Sequence, residues 1–366
     1  MLLNVLERLG PGYEPHVISL TSCGEIGARV QALGIPVEAL GMAASMPNPL
    51  VFFRLVSRLK ALRPAIVHSW MYHADLLGGL AARLAGVGAI GWGIRNSTLG
   101  AGSTPLSSRL VVRACAWTSH WVPHRILCCS EVARTLHVSM GYASDKIQVV
   151  PNGFDLARFR PDGAARSSFR QELGIAQDAF LVALVGRFDP QKNHAGFLHA
   201  AAVLQRRTPG VQFILAGRGV DQDNPALIRL ISDSGLGRSV HLLGLCNDVP
   251  RLMAGIDVLV SASTYGEAFP NVLGEAMASG VPCVATDVGD SAYILGEIGR
   301  VVAPGDAASL ARAMESILRL PDHDRQALGE QARARISENF ELGDVVRRYE
   351  AFYDSLAASA ARGSAP

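Results

Sequence analysis

Paired cysteines, long apolar runs and charged residues are all scarce in this sequence. The six cysteines show no CxxC or CxxxC spacing, which argues against a zinc ribbon and against a redox motif. Most of them lie beside apolar residues, as in the stretch 126–129, and we interpret them as reduced core residues. Because reduced thiols are typical of the cytosol, we expect a cytoplasmic protein.

No apolar run is long and continuous enough to predict a membrane span. The longest, residues 76–94, contains Arg83 and several glycines, which favours a helix followed by a buried strand. The first nine residues carry charge at Glu7 and Arg8 and are too short for a signal peptide. With 18% charged and 49% hydrophobic residues, we expect disorder only in a loose tail, residues 361–366.

The 366 residues exceed the usual size of one hydrophobic core, so two domains are expected. Residues 1–150 hold 13 Lys and Arg against 7 Asp and Glu, a net charge of +6, whereas the remainder holds 21 against 25, or −4. A basic first half suits an anionic partner such as a phosphate or a lipid surface, and a solvated basic face is an equally good interpretation. We predict no nucleic-acid partner.

Short apolar runs alternate with helical patterns along the whole chain, which is typical of parallel sheets covered by helices. The strands predicted for the first half are residues 16–20, 65–70, 90–94, 125–130 and 147–150. Those predicted for the second half are residues 180–185, 211–216, 240–243, 257–261 and 281–286. Pro151 and Gly153 mark a turn between the two series.

This pattern predicts an α/β protein of two doubly wound, Rossmann-like domains that face each other across a cleft. We place them at residues 1–150 and 151–340, followed by a C-terminal helix and the loose tail, residues 341–366. The chain opens on a helical pattern, residues 2–9, where such a domain normally opens on a strand. We therefore expect the first strand to be missing, and a version extended upstream by about 20 residues to be more stable and more active.

The strand that ends at Val185 runs directly into a glycine and two cations, Gly186, Arg187 and Lys192, after which a helical pattern begins. Such a loop can hold a diphosphate, because the glycine admits the backbone, the helix end supplies amide donors, and the cations neutralise the anion. A solvent-exposed basic loop is the alternative interpretation.

Two carboxylates, Glu267 and Glu275, follow the strand predicted at 257–261 in an E-x7-E arrangement. We expect Glu267 in the loop after the strand and Glu275 about one turn into the helix that Pro270 initiates. Vicinal hydroxyls of a sugar and of a ribose are donors that carboxylates bind strongly. The two residues are therefore candidates for binding both.

These segments resemble a known family. Residues 185–193, the E-x7-E pair and the apolar segment 278–286 resemble the retaining GT-B glycosyltransferases grouped as family 4. The segment 68–78 is similar to members that assemble bacterial surface polysaccharides such as capsule and lipopolysaccharide. The resemblance runs from Val17 to about residue 350. It implies a GT-B fold and the transfer of a sugar from a nucleotide diphosphate-sugar to a saccharide or a lipid-linked saccharide.

The resemblance also implies roles for the donor side. Gly186, Arg187 and Lys192 would bind the donor diphosphate, and Glu275 would bind the nucleotide ribose. Glu267 would hold hydroxyls of the transferred sugar as a catalytic group. Backbone amides of the loop that follows it would assist, and this loop consists of Ala268, Phe269, Pro270 and Asn271.

On the acceptor side, the resemblance implies that His73 faces the sugar and assists reaction or positioning as the second catalytic group. As a lone histidine among apolar residues, it is equally well interpreted as a core residue. Arg95 and Asn96 follow a strand end and would line the acceptor cleft. No nucleophile can be named for the opposite sugar face, so the resemblance favours front-face attack by the acceptor hydroxyl.

No metal and no cofactor are expected. Two pairs have the D-x-D spacing with which some transferases hold a divalent ion, Asp221 with Asp223 and Asp322 with Asp324. The first pair follows a glycine-rich turn in a polar loop, and the second lies in the run-up to the terminal helices, so we interpret both as solvated.

The sequence leaves open whether two segments contact an anionic inner membrane. In residues 49–63 apolar residues alternate with arginine and lysine, which fits an interfacial helix or a helix packed on its own sheet. The same two interpretations apply to the cluster of Trp117, His120, Trp121, His124 and Arg125.

Two rival functions remain at this stage. One is another GT-B enzyme, a sugar-nucleotide epimerase or a phosphorylase. The other is a protein that binds a nucleotide-sugar without turnover.

Overall fold

The computed structural model describes residues 1–43, 49–97 and 105–363. It divides into two compact units, and each is described by itself. The first comprises Met1–Gly153 together with the C-terminal segment that begins at Leu342, and the second is Phe154–Glu341. The predicted boundary near residue 150 lies three residues from the observed one. The segment predicted as a separate C-terminal part belongs to the first unit.

The first unit alternates short strands with helices. Its strands are β1 (Val17–Ser19), β2 (Val37–Ala39), β3 (Ile66–His68), β4 (Ala89–Ile94), β5 (Arg125–Cys128) and β6 (Ile147–Val149). Its helices are α1 (Leu2–Leu6), α2 (Gly24–Ala32), α3 (Pro49–Leu62), α4 (Tyr72–Leu84), α5 (Leu106–Thr118) and α6 (Glu131–Ser139).

All strand pairs of this unit are parallel, but they form two sheets. β1 pairs with β2, and the second sheet has the order β3-β4-β5-β6. Within the described residues, β1 and β3 are each paired on one side only. Accordingly β4 is buried at every position, whereas β1 and β3 are half-buried throughout.

A last helix, α15 (Leu342–Gly363), completes the core of the first unit. Its residues Tyr349, Phe352 and Leu356 are buried against apolar side chains of α1, β4 and β5. A Cβ at Gly91 of β4 would lie 2.9 Å from the Leu356 side chain, so the glycine leaves room for the helix. The tail predicted to be loose from residue 361 is therefore helical as far as Gly363, and residues 364–366 lie outside the described part.

The second unit contains one larger sheet. Its strands are β7 (Leu181–Val185), β8 (Gln212–Ala216), β9 (Val240–Leu242), β10 (Val258–Ser261), β11 (Cys283–Thr286) and β12 (Arg300–Val302). Its helices are α7 (Gly163–Glu172), α8 (His194–Arg207), α9 (Pro225–Ser234), α10 (Val249–Gly255), α11 (Asn271–Ala278), α12 (Ser291–Leu295), α13 (Ala307–Leu318) and α14 (Asp322–Phe340).

The six strands are parallel and have the order β12-β11-β10-β7-β8-β9. After β7 the chain forms β8 and β9 on one side of the sheet, and after β10 it forms β11 and β12 on the other side. Such a topological switch point leaves a crevice at the carboxyl ends of its two strands, where open α/β sheets bind ligands. The loops that follow Val185 and Ser261 meet there.

All ten predicted strands are present, with bounds that differ by at most two residues. The strands β2 and β12 were not predicted. Each has only three residues, and neither is buried at any of them, so their sequences lack the continuous apolar run of a central strand.

Candidate active site

Two glycines shape the floor of the switch point. A Cβ at Gly186 would lie 3.1 Å from Cδ of Lys192, so the glycine lets the lysine chain pass over the end of β7. Gly217, after the neighbouring strand β8, has φ +145°, and a Cβ there would lie 2.2 Å from the Gly186 carbonyl oxygen. No side chain fits between these two backbones, which therefore approach each other closely.

The loop after β7 is held by hydrogen bonds among its own residues. Asp189 Oδ1 accepts a hydrogen bond from Gln191 N at 2.9 Å, and this bond lowers the pKa of Asp189. Arg187 is exposed and donates to Asp189 Oδ2 at 3.1 Å and to Gln191 Oε1 at 2.9 Å. Asn193, in the left-handed region at φ 53°, caps α8 by accepting from Gly196 N. Arg187 is thus an exposed cation held beside the strand end.

Lys192 and Glu267 form the centre of the site. Their Nζ and Oε1 atoms lie 2.6 Å apart, although the residues are 75 positions apart in the chain. The same carboxylate oxygen accepts from Ser263 Oγ at 2.8 Å and from Gln191 Nε2 at 3.3 Å. The residue predicted to bind the diphosphate and the residue predicted to bind the transferred sugar are therefore in direct contact in the ligand-free protein.

The loop that carries Glu267 is fixed by the neighbouring loop after β11. A Cβ at Gly289, where φ is +60°, would lie 2.1 Å from the Glu267 carbonyl oxygen, so only glycine fits. Asp290 N donates to the Ala268 carbonyl at 3.0 Å. Gly266 supplies a positive φ of 84° before the carboxylate. These contacts hold the Glu267 side chain towards Lys192.

The residues after Glu267 lead into α11. Ala268 and Phe269 are buried, and the Phe269 ring stacks on Phe154 and packs edge-on against Phe340. Pro270 is the N-cap of α11 rather than its first residue, so Asn271 begins the helix. No side chain caps this helix end, and its backbone amides supply the partial positive charge that favours an anion or a hydroxyl oxygen.

Glu275 lies on α11 one turn from this end and is partly exposed. Burial raises its pKa to about 7, and the nearby Arg158 guanidinium opposes the shift. Burial disfavours the ionised form of this carboxylate in the ligand-free protein. Hydrogen bonds from bound hydroxyl groups would stabilise that ionised form.

Replacing Glu275 by glutamine is expected to stabilise the ligand-free protein at pH 8 but not at pH 4. As the pH rises from 4.5 to about 7, the unfolded chain loses this proton before the folded chain does, so wild-type stability falls. The free energy of unfolding at pH 8 should rise by about 2 kcal/mol. This is less than the free energy that corresponds to the full pKa shift, because the group is partly exposed. Urea unfolding at the two pH values measures it. An equal effect at both would mean that no desolvated carboxylate is involved.

In the first unit, His73 lies in the first turn of α4 and is exposed, so the interpretation as a core residue is wrong. Just before it, Met71 has φ +78°, a strained conformation for a residue other than glycine. The buried Asp75 holds this turn in place, since its Oδ1 accepts from Ser69 Oγ at 2.6 Å and from Gly93 N at 3.2 Å. Burial raises the Asp75 pKa to about 7.

Arg95 is committed to contacts inside the first unit rather than open to a ligand. Its guanidinium carbon lies 4.2 Å from the centre of the Trp70 ring, and Nη1 donates to Asn152 Oδ1 at 2.9 Å. Nη2 contacts the Tyr349 hydroxyl of α15, and burial lowers the Arg95 pKa. Asn96 follows it, and its carbonyl accepts from the Tyr72 hydroxyl at 3.4 Å.

The D-x-D pairs make local contacts of their own. Asp221 Oδ1 accepts from Asp223 N in the loop before α9, and Asp322 pairs with Arg325 in the first turn of α14. Among residues 1–43, 49–97 and 105–363, no group of three or more His, Cys, Asp or Glu is placed to hold a metal ion.

Three polar residues of the site were not given roles from the sequence: Asp189, Gln191 and Ser263. Each lies in a loop at the carboxyl end of β7 or β10. Their position next to the two motifs was the available signal, because neighbouring strand ends in a parallel sheet share one edge.

Two Rossmann-like units, one with a polar site at the switch point of its parallel sheet, are the parts of the GT-B fold of glycosyltransferases. Residues 2–158 match the model of Glycosyltransferase Family 4, and residues 165–335 match that of Glycosyl transferases group 1. Together the two models account for most of the chain, which belongs to the family 4 type of GT-B glycosyltransferases. It is therefore a transferase enzyme.

Several curated relatives have similar sequences. The chain is 27% identical over 332 residues to the UDP-Gal:alpha-D-GlcNAc-diphosphoundecaprenol alpha-1,3-galactosyltransferase of Escherichia coli, covering 89% of this chain and 83% of the relative. It is 34% identical over 251 residues to the glycosyltransferase EpsF of Bacillus subtilis, with 66% and 62% covered. The match to the D-inositol 3-phosphate glycosyltransferase of Nocardia farcinica is 36% identical and spans 54% of this chain and 44% of that one.

Solved structures confirm the fold. HepE of Anabaena, crystallised with UDP-glucose, superposes with a TM-score of 0.84 at 22% identity, covering 97% of this chain and 94% of HepE. Sucrose-phosphate synthase of Thermosynechococcus elongatus gives a TM-score of 0.72 at 20% identity, with 94% and 99% covered.

Proposed function

We propose that this enzyme transfers a sugar from a nucleotide diphosphate-sugar, with retention at the anomeric carbon, to a saccharide or lipid-linked saccharide. The observation that carries the proposal is the pairing of Lys192 with Glu267 at the switch point of the second unit. Lys192 Nζ lies 2.6 Å from Glu267 Oε1, and this distance supports a site in which the lysine binds the diphosphate and the carboxylate binds the transferred sugar.

In this proposal, the donor diphosphate lies against Gly186, Arg187 and the ammonium group of Lys192. That group has three N–H donors, so it can hold Glu267 and a phosphate oxygen at once. As the nucleoside diphosphate leaves, its growing negative charge is stabilised by these cations and by preorganised backbone amides. The ribose hydroxyls bind Glu275.

The transferred sugar binds Glu267 and the amides at the start of α11, in the segment 268–271. The acceptor binds the first unit, where His73 assists its positioning or reaction. Arg95 supports this region from within, through Trp70 and Tyr349, rather than by touching the acceptor. The acceptor hydroxyl attacks from the face that the leaving diphosphate occupies.

UDP-sugars are the first donors to test, because a similar structure holds UDP-glucose and the Escherichia coli relative uses UDP-galactose. That relative acts on a lipid-linked acceptor, which supports an acceptor of the same kind in polysaccharide synthesis. Such an acceptor would bring this enzyme to the cytoplasmic face of a membrane as a peripheral protein. No helix in the described residues combines the length and apolar character needed to cross a bilayer.

Release of UDP from UDP-glucose or UDP-galactose is expected to require acceptor and to persist in excess EDTA, because the diphosphate is neutralised by Arg187, Lys192 and a helix end. A synthetic GlcNAc-diphospholipid serves as the acceptor, and the anomeric coupling constant of the product reports retention. Conversion of the donor without acceptor would indicate an epimerase, and binding without any release a non-catalytic protein. Loss of activity in EDTA with rescue by manganese would contradict the metal-independent mechanism.

A further inference from the structure

Both amphipathic segments that the sequence left open form helices with a buried side and with some exposed apolar residues. In α3, the apolar residues Val51, Leu55 and Leu59 are buried in the first unit, and Arg58 pairs with Glu38 at 2.7 Å. The stripe of α3 therefore packs mainly on its own unit. Its exposed apolar residues are Leu50 and Phe53 in the first turns and Leu62 at the end of the helix.

The helix α5 presents a second apolar stripe to solvent. Leu106 is 70% exposed, Leu110 59% and Trp117 71%, and Trp121 in the turn after the helix is 47% exposed. Their spacing puts them on one side of the helix, because residues three or four apart share a face. The opposite side, with Val112 and Cys115, is buried in the unit.

The charged side chains of the helix itself are positive. Arg109 and Arg113 are exposed on the same helix, and residues 105–125 contain no Asp or Glu. At the end of the helix, the Lys146 ammonium donates to the carbonyls of His120 and Pro123 and adds a further cation beside Asp145. Arg113 lies within the exposed apolar stripe and Arg109 lies at its edge. Such a face is complementary to a bilayer, whose headgroups are anionic and whose interior is apolar.

The two tryptophans also suit such a surface. Their rings pack edge-on with centroids 5.8 Å apart, and both are exposed. Tryptophan is favoured where one side of a ring meets hydrocarbon and its N–H meets water, as at the headgroup level of a bilayer. A protein partner would not need this combination of arginines along the helix and aromatic rings at one end.

We propose that α5 and the turn after it, with Leu106, Leu110, Trp117 and Trp121 as inserting residues, form the surface by which this enzyme docks on an anionic bilayer. The helix lies in the interface plane, with its apolar stripe among the headgroups and Arg109 and Arg113 on anionic lipids. The purpose of this docking rests on the proposed function, because an enzyme held on the bilayer can reach a lipid-linked acceptor. The binding itself does not depend on catalysis.

The test is co-sedimentation of the full chain with vesicles of equimolar phosphatidylglycerol and phosphatidylcholine, compared with phosphatidylcholine alone. We expect binding to the anionic vesicles only. The double variant Trp117→Ala/Trp121→Ala should bind at least about tenfold more weakly. The double variant Arg109→Gln/Arg113→Gln should lose about 25-fold, roughly fivefold for each charge near the surface.

The matched control is Leu50→Ala/Phe53→Ala, which removes exposed apolar side chains from α3 and should bind as the wild type does. Tryptophan emission provides a second measurement. Of the four tryptophans, Trp92 is buried and Trp70 half-buried, so a blue shift on adding vesicles reports Trp117 and Trp121. A far-UV spectrum and a melting temperature like those of the wild type show that each variant is folded.

Equal binding to both vesicle types, no binding, or a loss confined to the α3 variant would each overturn the proposal. So would a dimer, seen by sedimentation velocity, that the tryptophan variant abolishes while vesicles are not bound. UDP binding, measured by thermal shift, should be unchanged in the α5 variants because the donor residues lie in the other unit. Vesicle binding without any sugar transfer would refute the proposed function and leave the docking surface intact.

Discussion

Replacing Glu267 by glutamine is expected to lower the turnover number of sugar transfer by roughly 100-fold, while UDP affinity changes less than about threefold. The amide keeps the shape of the side chain but removes the charge that, in the proposed function, binds the sugar hydroxyls most strongly as the bond to the diphosphate breaks. Steady-state kinetics with a saturating donor gives the turnover number, and titration calorimetry gives the dissociation constant of UDP.

Glu315 offers a matched control, because it is 8% exposed like Glu267 and also forms ion pairs, with Arg207 at 3.0 Å and Arg319 at 2.7 Å. It lies on α13, away from the switch point. The variant Glu315→Gln should lower stability and keep turnover. If Glu267→Gln behaved in the same way, Glu267 would serve only to neutralise Lys192, and its catalytic role would be wrong.

Replacing Lys192 by alanine is expected to weaken UDP binding by about 10- to 150-fold and to leave uridine binding unchanged. In the proposed function the lysine binds the phosphates of the nucleotide and not its nucleoside part, and a charge-assisted contact of this kind is worth about 1.5–3 kcal/mol. Calorimetric titration of the two ligands measures the difference. Equal weakening of both would place Lys192 away from the phosphates.

The same substitution should also destabilise the ligand-free protein, by about 1–3 kcal/mol, because it leaves the buried Glu267 carboxylate without its cation. In the double variant Lys192→Ala/Glu267→Gln, most of this stability should return, since the uncompensated charge is gone. Transfer activity should not return. Recovery of both stability and activity would show that the pair is structural, and denaturant unfolding with parallel assays distinguishes the outcomes.

The fold class followed from the sequence because its signals are local. A central parallel strand is buried on both faces, so each appears as a continuous apolar run, and this is how β4, β7 and β10 were predicted. The short half-buried strands β2 and β12 carry no such run and were missed. Gly186 could be assigned to the site from the sequence because it is next to Arg187 in the chain. Gly289 could not, because it reaches the Glu267 loop only in the folded protein.

The site was predictable in part. The cations after β7 and the carboxylates after β10 were identified from their positions at strand ends. Their contact was not, because it depends on β7 and β10 being neighbours, which the strand order decides. Arg95 was assigned to the acceptor cleft from its position after a strand. Its stacking on Trp70 and Tyr349 depends on a helix that returns from the far end of the chain.

By itself, the sequence determined that there are two α/β units, where their main strands lie, and which residues follow the ends of those strands. These properties depend on the order of apolar and polar residues over a few positions. Only the tertiary structure decided that Lys192 contacts Glu267 and that α15 belongs to the first unit. It also decided that the stripe of Leu106, Leu110 and Trp117 in α5 faces water, while the stripe of Val51, Leu55 and Leu59 in α3 is buried. The reason is physical: two amphipathic stripes have the same pattern of residues, and which one is buried depends on the surfaces that distant segments bring against them.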